Sequence, residues 1–153
     1  METPRIEDRG SFLVAGSVER YQIPEVSGIS RQWDEFARHL GKIPGQTGWT
    51  TYGVCFNMDD SGKMDYMCGV EVTEGAAAQE GMKLLRIEPQ LYAVFSHRGN
   101  ISRIKETWDA IFTEWCPASG RKLLFAPQFE VYDERFDPKT NEGVVEIWIP
   151  IER

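Results

Sequence analysis

The sequence predicts an α+β domain built from two related halves, each reading strand, helix, strand, strand, with antiparallel sheets around a central ligand groove. Three observations carry this. Two helical stripes of apolar residues both begin with Ile-Ser-Arg, each is followed by a hairpin pattern, and a soft segment, TEGAAAQEG, separates them. The halves span about residues 10–73 and 82–152 of one 153-residue domain, a size that buries a substantial core.

In the first half, the apolar run 12–18 reads as a strand. After Pro24 and Gly28, the residues Ile29, Trp33, Phe36, Ala37 and Leu40 fall on one helical face, with Gly41 and Pro44 to end it. TTYGVCFNM and KMDYMCGVEV then read as a hairpin about Ser61 and Gly62. Folded there, Tyr52 opposes Glu71 and Cys55 opposes Cys68.

In the second half, KLLRIEPQLYAVFSHRG holds one or two strands. Ile101, Ile104, Trp108, Ile111, Phe112 and Trp115 form a fuller helical stripe, with Asn100 as N-cap and Pro117 as terminator. The chain closes on FEVYDERF, a polar turn containing Pro138, Asn141 and Gly143, and VVEIWIPI. Folded about its middle, this hairpin sets Tyr132 opposite Glu146 and Glu130 opposite Trp148. Phe129, Val131, Val145, Ile147 and Ile149 then take the other, ordinary core face. Two carboxylates and two large rings on one face suit neither a solvated surface nor a core, and are expected to form a pocket wall.

The tyrosine–glutamate pairs at matching places imply hairpins that either face each other or flank a common groove. Tyr52, Glu71, Trp33 and Trp108 join the candidate ligand-binding set through this repeat. Rings attract cations through their quadrupole, and a desolvated carboxylate calls for a proton or a cation, so a lipophilic cation is the expected partner. A plainer alternative stays open: Glu71 and Glu146 pair with nearby lysines or arginines while Trp148 only packs.

The formal net charge of −7 and the lack of a basic stripe argue against direct nucleic-acid binding. No apolar run has membrane-spanning length and no signal region opens the chain, so no membrane partner and a cytoplasmic location are expected. Cys55, Cys68 and Cys116 have no metal spacing, so no metal and no cofactor are expected. Trp49, Trp115 and the IWIPI segment are candidates for a homodimer contact.

WDAIFTEWCPASG, FEVYDERF and GVVEIWIPI resemble the GyrI-like small-molecule-binding domain, best over residues 92–151, with Glu146, Trp148 and Pro150 as the most specific motif. This is the effector-binding module of DNA gyrase inhibitory protein and of AraC-type and MerR-type multidrug regulators. The resemblance implies a groove for cationic, lipophilic compounds. Glu146 would be the acidic group at its base and Trp148 the ring beside it, with Glu130 and Tyr132 lining it. No helix-turn-helix is read before Phe12, so the chain resembles the free-standing members. Three roles are therefore expected: a stand-alone binding module, a hydrolase of reactive cyclopropane-type compounds with Glu146 as general base and Tyr132 or Glu71 assisting, or a gyrase-inhibitor-like protein-binding modulator.

Overall fold

The computed structural model describes residues 2–153. The chain runs β1 (Arg5–Arg9), β2 (Phe12–Gln22), α1 (Ile29–Ala37), β3 (Gln46–Phe56), β4 (Lys63–Val72), β5 (Lys83–Ile87), β6 (Gln90–Asn100), α2 (Ile104–Ala110), α3 (Cys116–Ser119), β7 (Gln128–Tyr132), β8 (Phe136–Asp137) and β9 (Glu142–Ile151). All strand pairs are antiparallel, in the order β1-β6-β9-β7-β3-β4-β2-β5, with β8 added to β9. With α3 and the two-residue β8 set aside, the order β2-α1-β3-β4 is followed by β6-α2-β7-β9.

The connections make the sheet curl. β1 and β2 are separated by only Gly10 and Ser11, and β5 and β6 by only Glu88 and Pro89, yet each pair joins opposite ends of the strand order. A flat sheet cannot span that distance with two residues. The resulting half-barrel has a concave inner face, where Phe12, Val14 and Ile87 from one end meet Tyr92, Val94 and Trp148 from the other.

The outer face carries the helices. α1 covers the first half through Phe36, against Ala15, Cys68 and Val70. The second helix covers Ala93, Phe95, Ile147 and Ile149 with Ile111, Trp108 and Trp115. β3 and β7 are neighbours at the middle of the sheet, between the strands the two helices cover, so a groove is left above them.

Two local expectations are revised. Pro117 does not end the second helix: residues 111–115 widen into a π-helical stretch, Pro117 occupies the start of α3, and the helix stops at left-handed Gly120 (φ 69°). A proline is tolerated there because the π-helical stretch just before it already interrupts the regular hydrogen-bond ladder, with Cys116 N donating to Ile111 O. Asn100 does cap, accepting from Ser102 N at 3.0 Å.

Both hairpin registers also differ. In the first, Tyr52 opposes Gly69 and Cys55 opposes Tyr66. This is a slip of two, which keeps the expected faces but moves Glu71 to a diagonal position from Tyr52. In the last hairpin, Phe129 opposes Trp148, Glu130 opposes Ile147 and Val131 opposes Glu146. This is a slip of one, which moves every side chain of one strand to the other face relative to its partner. Its cause is the tip, where Asn141 N donates to Asp137 O at 2.8 Å and Phe136 pairs with Gly143; the break at 133–135 then loops out two residues, which leaves the faces unchanged. Asp133 Oδ1 accepts from Arg135 N at 3.0 Å and Phe136 N donates to Asp133 O at 3.1 Å, so the chain turns before pairing resumes at Phe136–Gly143.

Candidate functional site

The register separates the expected cluster into two. Glu130 and Tyr132 point to the outer face, into the groove, while Glu146, Trp148, Tyr52 and Glu71 lie on the inner face. The groove encloses about 1830 Å³ and is lined by Trp33, Tyr66, Trp108, Glu130 and Tyr132, with Trp49 and Phe125 at its rim. Those two rim rings are 72% and 87% exposed.

Glu130 sits on the groove floor, only 6% exposed. Its Oε1 accepts from the Tyr132 hydroxyl at 2.7 Å and the Tyr66 hydroxyl at 3.1 Å, and its Oε2 accepts from Trp108 Nε1 at 2.8 Å. Trp33 Nε1 donates to the Tyr66 hydroxyl at 3.1 Å. The indoles of both flanking helices therefore converge on one carboxylate, α2 directly and α1 through Tyr66. Trp33 also stands edge-on to Tyr132 at 5.3 Å, and Trp108 stacks on Phe112 at 6.1 Å.

Every one of these donors is neutral. Among the described residues no lysine or arginine forms an ion pair with Glu130. Burial raises its carboxyl above the usual value, against the lowering effect of the Trp108, Tyr132 and Tyr66 hydrogen bonds. Burial, then the adjacent Glu130, pushes both phenols far above the ordinary tyrosine range, so they remain donors.

The inner-face residues have partners of their own. Glu146 is bridged by Arg5 at 2.8 and 3.3 Å and by Arg135 at 3.3 Å, and it accepts from Trp148 Nε1 at 3.1 Å. Burial alone would raise its carboxyl, but the Arg5 hydrogen bond and charge outweigh burial and hold it below the usual value. Trp148 stacks on Phe129 at 5.5 Å. The Arg9 guanidinium lies 3.7 Å from the Phe12 ring centre and 5.5 Å from those of Tyr52 and Trp148, donates to the Tyr52 hydroxyl at 3.1 Å, and pairs with Glu71 at 3.5 Å. Rings and carboxylates do assemble around a cation here, but the cation belongs to the chain, as in the plainer alternative that the sequence left open.

The other candidates are equally specific in placement. Trp33, Trp108, Glu130 and Tyr132 are brought together, and with them Tyr66, central to the network, which the sequence pattern does not single out. The adjacency of β3 and β7 was the missing signal, since it places Gly53 between Glu130 and Cys68 and thereby puts the Tyr66 ring over Glu130. Trp115 packs edge-on against Phe95 at 5.0 Å, and Ile147, Ile149 and Ile151 are fully buried, so the IWIPI segment is core and offers no dimer surface. Among the described residues no cluster of three or more His, Cys, Asp or Glu is arranged to hold a metal ion, and no helix is long and apolar enough to cross a membrane.

A half-barrel with two helices flanking an aromatic groove over a buried carboxylate defines a small-molecule-binding domain rather than a packed structural module. The sequence matches the GyrI-like small molecule binding domain over residues 2–152, and the chain belongs to that family. It is 32% identical over 149 residues to the transcriptional regulator BrlR of Pseudomonas aeruginosa, a match covering 96% of this chain and 54% of that protein, so the chain spans about half the length of this relative. Its fold is similar to that of SAV2435 bound to tetraphenylphosphonium (TM-score 0.75, 20% identity, 99% of this chain and 94% of that one). It is also similar to the EcmrR C-terminal domain (TM-score 0.71, 14% identity, 97% and 96% coverage).

Proposed function

We propose that this domain binds lipophilic cations in the outer groove, with Glu130 as counter-ion and Trp33, Trp108, Tyr66 and Tyr132 as the surrounding rings. The observation that carries the reading is the Glu130 carboxylate, buried on an aromatic floor with three neutral donors and no cationic partner. Desolvating a charge costs several kcal/mol unless an opposite charge offsets it, on the order of the penalties known for buried ions. A flat or tetrahedral aromatic cation supplies that charge and covers exposed rings at the same time. The tetraphenylphosphonium held by a protein of the same fold supports the choice of ligand class.

On this reading the counter-ion role passes from Glu146, which the sequence favoured, to Glu130. Titration of tryptophan fluorescence with tetraphenylphosphonium and with a neutral aromatic of similar size tests it. The cation alone should bind to the parent, Glu130→Gln should lose that binding, and Glu146→Gln should keep it. Equal binding of the neutral compound, or loss in Glu146→Gln alone, would overturn the reading.

A second reading, hydrolysis, also moves to Glu130. A carboxyl raised by burial with the Tyr132 hydroxyl at 2.7 Å suits general acid–base work on a bound electrophile. It requires turnover of a strained-ring substrate that disappears in Glu130→Gln.

A further inference from the structure

We propose that Gly53 is a positioning residue of the groove: its missing side chain is what allows the Tyr66 hydroxyl to reach across the sheet and donate to Glu130. The inference rests on the cation-binding reading for its functional consequence, but not for its geometry. Gly53 lies mid-strand in β3, paired with Cys68 of β4 on one side and Glu130 of β7 on the other. Its conformation is not one that requires glycine, since its φ is not among the positive ones. A glycine inside a central strand weakens it, and where the backbone does not demand one, close approach of another group is the usual reason.

Here the approaching groups are identified. A Cβ built at Gly53 would overlap the Tyr66 hydroxyl and lie 2.8 Å from Glu130 Oε1 and 2.9 Å from Tyr66 Cζ. All three belong to the groove network, and none can yield freely. The Tyr66 hydroxyl is tied to Trp33 Nε1 at 3.1 Å and to Glu130 Oε1 at 3.1 Å, and Glu130 is tied to Trp108 and Tyr132. The backbone behind Tyr66 is fixed as well, because its carbonyl accepts from the buried Gln32 amide at 3.0 Å. A methyl group at position 53 therefore breaks the Tyr66–Glu130 bond first, and with it the link from α1 to the carboxylate.

The ionisable groups that act on Glu130 are few. Cys55 comes from β3, Tyr66 and Cys68 from β4, Tyr132 from its own strand and His97 from β6, while α1 and α2 present the Trp33 and Trp108 indoles. Asp34, Lys105, Asp109, Asp133 and Glu134 lie further out along the groove. Of these, only Tyr66 meets a side chain at position 53, which otherwise touches Glu130 Oε1 itself, so a comparison in a Tyr66→Phe background separates the Tyr66 bond from direct crowding of the carboxylate.

The test is a double-mutant cycle of Gly53→Ala and Tyr66→Phe on the full chain, with two readouts. The first is the titration midpoint of the Glu130 carboxyl, followed by carbon NMR on glutamate-labelled protein and assigned with Glu130→Gln. The second is tetraphenylphosphonium affinity. Gly53→Ala should raise the midpoint in the same direction as Tyr66→Phe and weaken the cation by about tenfold, the size expected for one hydrogen bond to a charged group. In the Tyr66→Phe background, where the untethered ring can tilt away, the added methyl should change either readout little. A Gly53→Ala protein that titrates and binds like the parent, or effects that simply add, overturns the proposal. If Gly53→Ala fails to fold, the double variant must recover the fold, and failure to do so is equally fatal. Should the parent not bind the cation at all, the ligand reading falls while the titration arm still decides the role of Gly53.

Discussion

Two glutamates on adjacent strands, Glu130 of β7 and Glu146 of β9, are nearly equally buried, each 6% exposed, yet they meet opposite fates. Glu130 faces the groove and is held by two phenols and an indole, and among the described residues no lysine or arginine pairs with it. Glu146 faces the inside of the half-barrel and is clasped by Arg5 and Arg135. Burial alone therefore does not mark a binding carboxylate. What distinguishes the two is whether the fold itself provides the opposite charge, because only an unmatched charge leaves interaction energy for a ligand.

Removing each carboxylate should sharpen this contrast, and the largest effect concerns ligand affinity. Glu130→Ala should weaken tetraphenylphosphonium by about 2–5 kcal/mol, as for truncating one partner of a buried charge pair, measured by calorimetric titration. Glu146→Ala should leave that affinity within about twofold, a difference of at most a few tenths of a kcal/mol.

Stability should respond in the other sense. Glu146→Ala strands Arg5 and the Trp148 N–H, and a loss of about 1–3 kcal/mol is expected from urea denaturation. The half-exposed Arg5 places the result toward the lower end. A Glu146 variant as stable as the parent would break the comparison.

The pH dependence should differ in sign. Glu130 has a raised carboxyl in the folded protein, so its contribution to stability is fully present below the usual value of 4.5 and is lost as pH rises through the higher folded value. Glu146 has a lowered carboxyl, so its contribution is present above 4.5 and is lost as pH falls through the lower folded value. Thermal melts of parent, Glu130→Gln and Glu146→Gln across both windows check this: the parent's decline just above 4.5 should vanish in the first variant, and its decline below 4.5 should shrink in the second without vanishing, because Glu25, Asp59, Glu74 and Asp133 are also held low. Bound tetraphenylphosphonium should oppose the decline assigned to Glu130.

The smallest effect belongs to the inner cation. Arg9→Leu removes a guanidinium packed over Phe12, Tyr52 and Trp148. A destabilisation of about 0.5–2 kcal/mol is expected from the lost cation–ring contacts. Affinity for the groove ligand should be unchanged, and any weakening would show that the two faces are coupled.

How much of this was legible in the sequence varies by element. The apolar stripes of both helices, Asn100 as a cap and the strand pairs around each turn follow from local periodicity and capping chemistry. Trp33, Trp108, Glu130 and Tyr132 do line one groove, but their separation from Glu146, Trp148, Tyr52 and Glu71 was not legible. The face taken by Glu146 and Trp148 was not legible. Strand side chains alternate with a period of two, so the pairing parity set at the tip, Phe136 with Gly143, decides it, and that tip is held by hydrogen bonds formed in the folded hairpin.

The sequence by itself determined an antiparallel α+β domain of the GyrI-like kind, because that is a matter of residue type and short-range pattern. Only the tertiary structure decided which glutamate receives a cation from the chain and which does not. That depends on which strands lie side by side: β1 beside β6 brings Arg5 to Glu146, and β3 beside β7 brings Gly53, and across it Tyr66, to Glu130. Both contacts join residues more than sixty positions apart, beyond the reach of any local pattern.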